Sequence, residues 1–382
     1  MQFKNIIGQE GIKQQLIQTV AENRVSHAQL FLSCDGSGAL PLAIAYAQYI
    51  NCLDKQNDDS CGECSSCRKY ERYIHPDLHF SYPFFASKDV KTAVDVLEEW
   101  RSMLLEDSYF DMDIWRSKLS AENKQANINI AECHDIIKKL SYKAFEADTK
   151  VLIMWLPEHL DKEGNSLLKI IEEPPANTLF ILVANNQEQI LSTLLSRTQI
   201  VKIPKLSHAT VESYLMDEFG LSENQATEYS FLADGNLIEA KQLTANTQNE
   251  NADKFAEWLR MGYGNRVLDL TGFVEQISGW GRENQKNFLK YGISFLRECS
   301  LLLSGAEELV KLPGAALDTA KKLSKHVLDL NMADAIISEL EKAHYHIERN
   351  ANPKILFLDV SLQLVKIIKF KTLPAGTQYI YN

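Results

Sequence analysis

Four of the seven cysteines fall at Cys52, Cys61, Cys64 and Cys67, a C-x8-C-x2-C-x2-C run. Four thiolates can surround one divalent ion tetrahedrally, and two-residue gaps turn neighbouring sulfurs toward the same point. Such a site has no open position, so its metal is structural. Zinc is the favoured reading, with an iron–sulfur centre or unliganded thiols as the alternatives. The remaining Cys34, Cys133 and Cys299 are scattered, and an odd total argues against a disulfide framework. His75, followed by Pro76-Asp77, lies close enough to suggest a further ligand. With four sulfurs at hand it reads as a capping or packing residue.

A second constellation is notable for what it lacks. Ser33-Cys34-Asp35-Gly36-Ser37-Gly38-Ala39-Leu40 stands where a G-x-x-x-x-G-K-[ST] phosphate loop would stand, between an apolar strand and a helix. A working loop cradles phosphate on backbone N–H groups, offsets its charge with Lys and holds magnesium with the final hydroxyl. Here Ser33, Ala39 and Leu40 replace the first Gly, the Lys and the hydroxyl, and only Gly36 and Gly38 keep the pattern. Further on, Val151-Leu152-Ile153-Met154 runs into Trp155-Leu156 where magnesium-binding acids would follow, and Glu158 is displaced past Pro157. Productive binding of ATP or magnesium is not expected in this chain. Taken alone, the two glycines would be a simple turn.

Leu195-Ser196-Arg197-Thr198 precedes the last strand of this region. An Arg placed there can reach phosphate held by a neighbouring protomer and stabilise charge that develops during phosphoryl transfer. The alternative is an ordinary surface or interface ion pair. Glu172-Glu173-Pro174-Pro175 reads as the structural end of a helix with a possible part in assembly, and Lys169 and Lys202 as solvated surface charges.

These residues need elements to carry them. Strands are expected at Ala28 to Leu32, Asp77 to Ser81, Val151 to Leu156, Leu179 to Ala184 and Gln199 to Ile203. Helical spacing falls between them, at 5–23, 40–50, 90–104, 130–139 and 165–172, with a polar loop at 51–68 and an irregular excursion between Phe84 and Asn129. Short apolar strands alternating with helices predict an α/β domain on a mostly parallel sheet. After Pro204 the strands cease. Three short helices follow, and from Ala252 nearly everything is compatible with a helical bundle.

Composition sets bounds on the function. The 382 residues are 45% hydrophobic and 24% charged, as in ordinary globular proteins. With 40 Lys and Arg against 51 Asp and Glu, the formal charge of -11 disfavours a protein that grips DNA unaided. No apolar run approaches the roughly 20 residues of a membrane span, and the opening MQFKNIIGQEGIKQQL reads as folded sequence without a secretory signal, so a cytoplasmic location is expected.

Together the motifs resemble the clamp-loader family of bacterial DNA polymerase III, and within it the delta-prime subunits. The resemblance rests on Ile7-Gly8-Gln9, His27-Ala28-Gln29-Leu30-Phe31, the altered phosphate loop, the cysteine module and His75-Pro76-Asp77. It continues in the stretch from Asn165 to Pro175, in Leu195-Ser196-Arg197-Thr198 and in Asn352-Pro353-Lys354. It implies a degenerate P-loop AAA+ domain at 1–205 with a zinc module at 52–67, a helical lid at 206–248 and a helical collar at 249–382. It implies ATP-binding gamma or tau subunits and a delta subunit as partners in a five-membered open ring, with the beta clamp and primed DNA met through the complex. Arg197 matches the finger of the family's Ser-Arg-Cys motif, with Thr198 in place of Cys, and the loop before Asn165 is one residue short. Ala39, Trp155-Leu156 and Ile238 depart from a gamma or tau motor. A gamma-like motor and a zinc-stabilised scaffold of another complex are the competing readings.

Overall fold

A computed structural model describes the chain at all residues except 122–123, 161, 246–250, 265, 311, 313, 350 and 373–382. It divides into two compact units, Met1–Glu218 with Ala233–Lys241 and Phe219–Leu232 with Gln242–Asn382.

The first unit is built on five strands: β1 (Ala28–Leu32), β2 (Leu78–Ser81), β3 (Lys150–Trp155), β4 (Thr178–Ala184) and β5 (Gln199–Lys202). They pair in the order β2-β3-β4-β1-β5, every pair parallel. Because side chains alternate along a strand, Val151, Ile153 and Trp155 enter the apolar layer on one face of the sheet. Leu152 and Met154 enter the layer on the other. Both layers are helix-covered, which is why β3 and β4 are buried along their whole length and read as continuous apolar runs. Edge strand β5 buries only Val201.

Helix Ala39–Ile50 is buried at every position but its last, so its lack of a polar face is a consequence of lying in the core. The helix expected at 90–104 is found as a 3₁₀ turn, Ala93–Val96, followed by helix Leu97–Glu106. The rest of the stretch between Phe84 and Asn129, expected to be irregular, is more ordered than its sequence suggests. Phe84 and Asn127 exchange backbone hydrogen bonds of 3.2 and 3.1 Å, closing the excursion at its base. The unexpected element is helix Met112–Lys118, capped by Asp111, whose Oδ1 accepts the N–H groups of Asp113 and Ile114. Trp100, Phe110 and Trp115 from this stretch enter the core. Two further elements also differ from expectation. Cys67 sits in a helix, Ser65–Glu71, inside the segment read as loop, and residues 165–172 divide into a 3₁₀ segment, Lys162–Leu167, and a short α-helix, Leu168–Glu172.

Three helices follow the sheet: His208–Phe219, Glu223–Ala233 and Leu237–Ala245. The boundary expected at residue 248 lies outside the described residues. In the second unit, the six α-helices among the described residues from Asn251–Gly264 to Pro353–Phe370 enclose a core that includes Phe255, Trp258, Phe288 and Phe357. Asn352 caps the last of these helices through Oδ1 to the N–H groups of Lys354 and Ile355, with Pro353 at the first position, where no donor is needed. Among the described residues no helix is long and apolar enough to cross a membrane.

Candidate functional site

The turn after β1 lies at the carboxyl ends of the strands, where open parallel sheets place their ligands. Gly36 and Gly38 both take positive φ, 71° and 87°, and Gly38 immediately precedes helix Ala39–Ile50. The frame of a phosphate loop is therefore present, but its hollow is filled. The Leu237 N–H donates to Gly36 O at 3.3 Å, which brings the start of helix Leu237–Ala245 onto the loop. Tyr109 lies against Gly38, with its hydroxyl 3.0 Å from where a Cβ would be. The cavity left beside Gly36, Gly38, Ala39 and Leu40 is about 30 Å³, far below the roughly 300 Å³ at which small-molecule pockets begin. The open groove of about 840 Å³ that Ser33 and Cys34 line with Asn185 and Lys202 includes none of these four residues. A separate open groove of about 740 Å³ runs between residues 7–12 and 204–217.

The remaining chemistry of the loop also disfavours an anion. Asp35 is pushed toward its protonated form by desolvation and by the nearby charges of Asp111, Glu158 and Asp113. Glu158 is engaged structurally, its Oε1 accepting the N–H groups of Asn185 and Asn186 at 2.5 and 2.7 Å. Trp155, at the position where an acid would hold magnesium, is 4% exposed. Its ring lies 5.1 Å from that of Phe110 and 5.4 Å from that of Trp100. Tyr109, Asn236 and Leu237 were not legible as loop partners. Only Asn236 left a trace, as an Asn before a helix, where its Oδ1 accepts the Ile238 N–H at 3.0 Å. A Cβ on Gly36 would fall 1.9 Å from Asn236 Oδ1 and 2.5 Å from Leu237 N, at a φ that L-residues resist. Gly36→Ala is therefore expected to cost about 2 kcal/mol or more in chemical denaturation.

Arg197 lies elsewhere. Gln199 pairs with Gln29 and Lys202 with Leu32, so Arg197 precedes the start of β5 whereas Ser33 to Gly38 follow the end of β1. At about 3.3 Å per residue the strands alone separate them by roughly 15 Å. The guanidinium is held by its own chain: Nε donates to Glu172 Oε2 at 3.2 Å, and Nη1 to Thr193 O at 3.0 Å and Ser196 Oγ at 3.3 Å. Lys169 and Lys202 are exposed.

The four cysteines converge. Cys52 follows helix Ala39–Ile50, Cys61 lies in the loop beyond, Cys64 caps helix Ser65–Glu71 and Cys67 sits in its first turn. Their sulfurs all lie within 4.8 Å of one another, with Cys52–Cys61 at 3.5 Å and Cys61–Cys67 at 3.9 Å. Sulfurs on a tetrahedral ion about 2.3 Å away would stand about 3.8 Å apart, so the set can hold a metal ion. Backbone N–H groups of Cys61, Cys64 and Cys67 point at Cys52, Cys61 and Cys64 Sγ over 3.3 to 3.4 Å, stabilising thiolates. Burial opposes ionisation of Cys64, yet the N–H groups of Cys67 and Leu53 help bring its pKa to about 7, whereas burial raises Cys52 and Cys67. The loop also carries the first residues of the chain, because Asp59 accepts the N–H groups of Phe3 and Lys4.

His75 does not join the cysteine group. Its Nδ1 accepts the Asp77 N–H at 3.2 Å, its Nε2 faces Glu146 at 3.3 Å, and its ring packs on Tyr70. Asp77 anchors the loop before β3 by accepting N–H groups of Phe145, Glu146 and Ala147 at 2.6 to 2.8 Å. Burial raises its pKa, but these three donors outweigh burial and hold it below the ordinary value. A carboxylate of depressed pKa stabilises the fold above the unfolded value of about 3.9 and loses that contribution as pH falls through the folded one. Asp77→Asn is expected to cost about 1–3 kcal/mol at neutral pH. In urea titrations the gap from the parent protein should shrink below about pH 3.9.

The sheet order, the glycine turn and its filled hollow together define an α/β protein with the layout of a phosphate-loop domain. The family model described as DNA polymerase III, delta subunit, matches residues 8–207, a little over half of the chain. The chain belongs to this clamp-loader family and is delta-prime-like within it. It is 25% identical over 246 residues to the DNA polymerase III subunit delta′ of Bacillus subtilis, covering 63% of this chain and 59% of that protein. It is 29% identical over 299 residues to the delta′ subunit of Haemophilus influenzae, covering 76% and 67%. Subunit tau of Bacillus subtilis is 21% identical over 379 residues, covering 97% and 51%. The chain thus spans about half to two thirds of the length of these relatives.

Proposed function

We propose that this chain is a non-hydrolysing, delta-prime-type subunit of a DNA polymerase III clamp loader, which donates Arg197 to ATP bound by a neighbouring subunit. One observation carries the reading. Among the described residues, the hollow beside Gly36 and Gly38 is filled by Tyr109 and the start of helix Leu237–Ala245, while Arg197 stands at the other end of the sheet. An arginine so placed is remote from this chain's own loop and can serve a phosphate held by another protomer. Gamma or tau subunits supply that ATP, and delta completes the ring. The complex loads the beta clamp on primed DNA in the cytoplasm. Cys52, Cys61, Cys64 and Cys67 hold structural zinc, which ties the loop at 52–67 to the α/β domain. The division into an AAA+ domain at 1–205, a lid at 206–248 and a collar at 249–382 is part of this reading.

The test against a gamma-like motor is direct. The isolated chain with ATP and magnesium should neither bind by calorimetry nor turn over, yet should co-purify with an ATP-binding loader subunit. Stoichiometric ATP binding with turnover by the isolated chain would overturn the reading.

A further inference from the structure

Arg197 is a long side chain with much rotamer freedom, and a donor that must meet a phosphate on another protein gains from being aimed in advance. Three of its five N–H groups are engaged within this chain. Nη1 meets Thr193 O and Ser196 Oγ from the adjacent turn, and Nε meets the carboxylate of Glu172, 25 positions earlier in sequence. Among the described residues the two Nη2 hydrogens meet no acceptor.

The backbone that presents Glu172 is fixed, while its side chain is 58% exposed. Glu172 ends helix Leu168–Glu172, whose Ile171 is 1% exposed in the core and whose Ile171 carbonyl lies 3.1 Å from His27 Nε2. The Glu173 N–H closes on Lys169 O at 2.9 Å, and Pro174-Pro175 prevents any further turn. The double proline thus sets where the carboxylate is presented.

We infer that Glu172 is a positioning residue for Arg197, holding the guanidinium by Nε so that the Nη2 edge is offered to the phosphate of an adjoining subunit. The inference rests on the reading of Arg197 as a donor in trans. Glu172 touches neither nucleotide nor reacting atoms in this arrangement. Its part is to reduce the number of orientations the arginine samples, so it acts on the rate of the chemical step more than on ATP affinity.

The test uses a clamp loader reconstituted from full-length subunits, with kcat and KM for ATP measured in the presence of clamp and primed DNA. Glu172→Ala should lower kcat at the adjoining site by about tenfold, with KM changed by less than about twofold. Glu172→Gln keeps an oxygen acceptor for Nε and should recover most of the loss. The double variant Glu172→Ala/Arg197→Ala should be no slower than Arg197→Ala alone. Should Glu172→Ala weaken assembly, Glu172→Asp, which keeps the charge but withdraws the carboxylate, carries the test and should show the same fall in kcat. Normal kcat in the Ala variant, or in Asp where Asp carries the test, beside a slow Arg197→Ala loader would overturn the positioning role and leave the donor reading intact. Normal kcat in Arg197→Ala would overturn both.

Discussion

Replacing Arg197 with alanine should leave the complex assembled and slow hydrolysis at the adjoining ATP site by about a thousandfold, the lower range for an arginine that stabilises phosphoryl transfer in trans. The size of the effect follows from timing. Charge builds on the transferred phosphoryl oxygens only as the bond to the leaving group breaks, so a guanidinium placed there contributes to the transition state more than to the bound ground state. ATP affinity at that site should therefore change little. Arg197→Lys should not rescue, because an ammonium has no Nε to engage Glu172 and no planar fork for phosphate oxygens. The measurement is single-turnover hydrolysis in a loader whose other ATP sites are inactivated, with size-exclusion chromatography as the check on assembly. Wild-type rates at that site would end the proposal.

The second large effect concerns the cysteine cluster. Structural zinc in small zinc modules contributes about 10–16 kcal/mol of apparent binding free energy at neutral pH, much of it expressed as folding. Here the α/β core is extensive and should survive, while the loop from Cys52 to Cys67 and the chain segment tied to it through Asp59 should not. Purified protein is expected to carry about one zinc per chain, the stoichiometry of a four-thiolate site. Chelation, or Cys67→Ser, should remove the metal, lower Tm and raise amide exchange at Phe3 and Lys4. Cys299→Ser, which alters a buried thiol outside the cluster, should retain the metal. Full retention of zinc in Cys67→Ser would contradict the assignment.

Much of the sheet was legible because each strand is a short apolar run bounded by polar turns, and burial on both faces leaves no alternation to misread. The altered phosphate loop was legible as a set of substitutions, Ala39 for Lys and Trp155 for an acid. What occupies the hollow was not, since Tyr109 and Leu237 reach it only through tertiary packing. The helix carrying Trp100 was legible, but the stretch through Phe110, Trp115 and Ala126 was not, for a similar reason. Helix Met112–Lys118 is short, and Trp115 is ordered by Tyr82 and by Trp100, with the two indoles 5.3 Å apart. The helix that carries Cys67 is hidden in the polar run 51–68 because its first turn is fixed by Cys64 Sγ accepting the Cys67 N–H and not by apolar spacing. The Glu172–Arg197 pair depends on β1 lying between β4 and β5, a register no local window contains.

Trp155 also bears on how the hollow could be opened. An aspartate at that position would set a carboxylate among the rings of Trp100 and Phe110, and an isolated charge in apolar surroundings is among the costliest changes a core can suffer. A lysine at position 39 would still meet a hollow occupied by Tyr109. Neither step opens the hollow until the other and several ring removals have been made, so the filling acts as a ratchet: single substitutions can vary it, but none of them alone makes a nucleotide pocket.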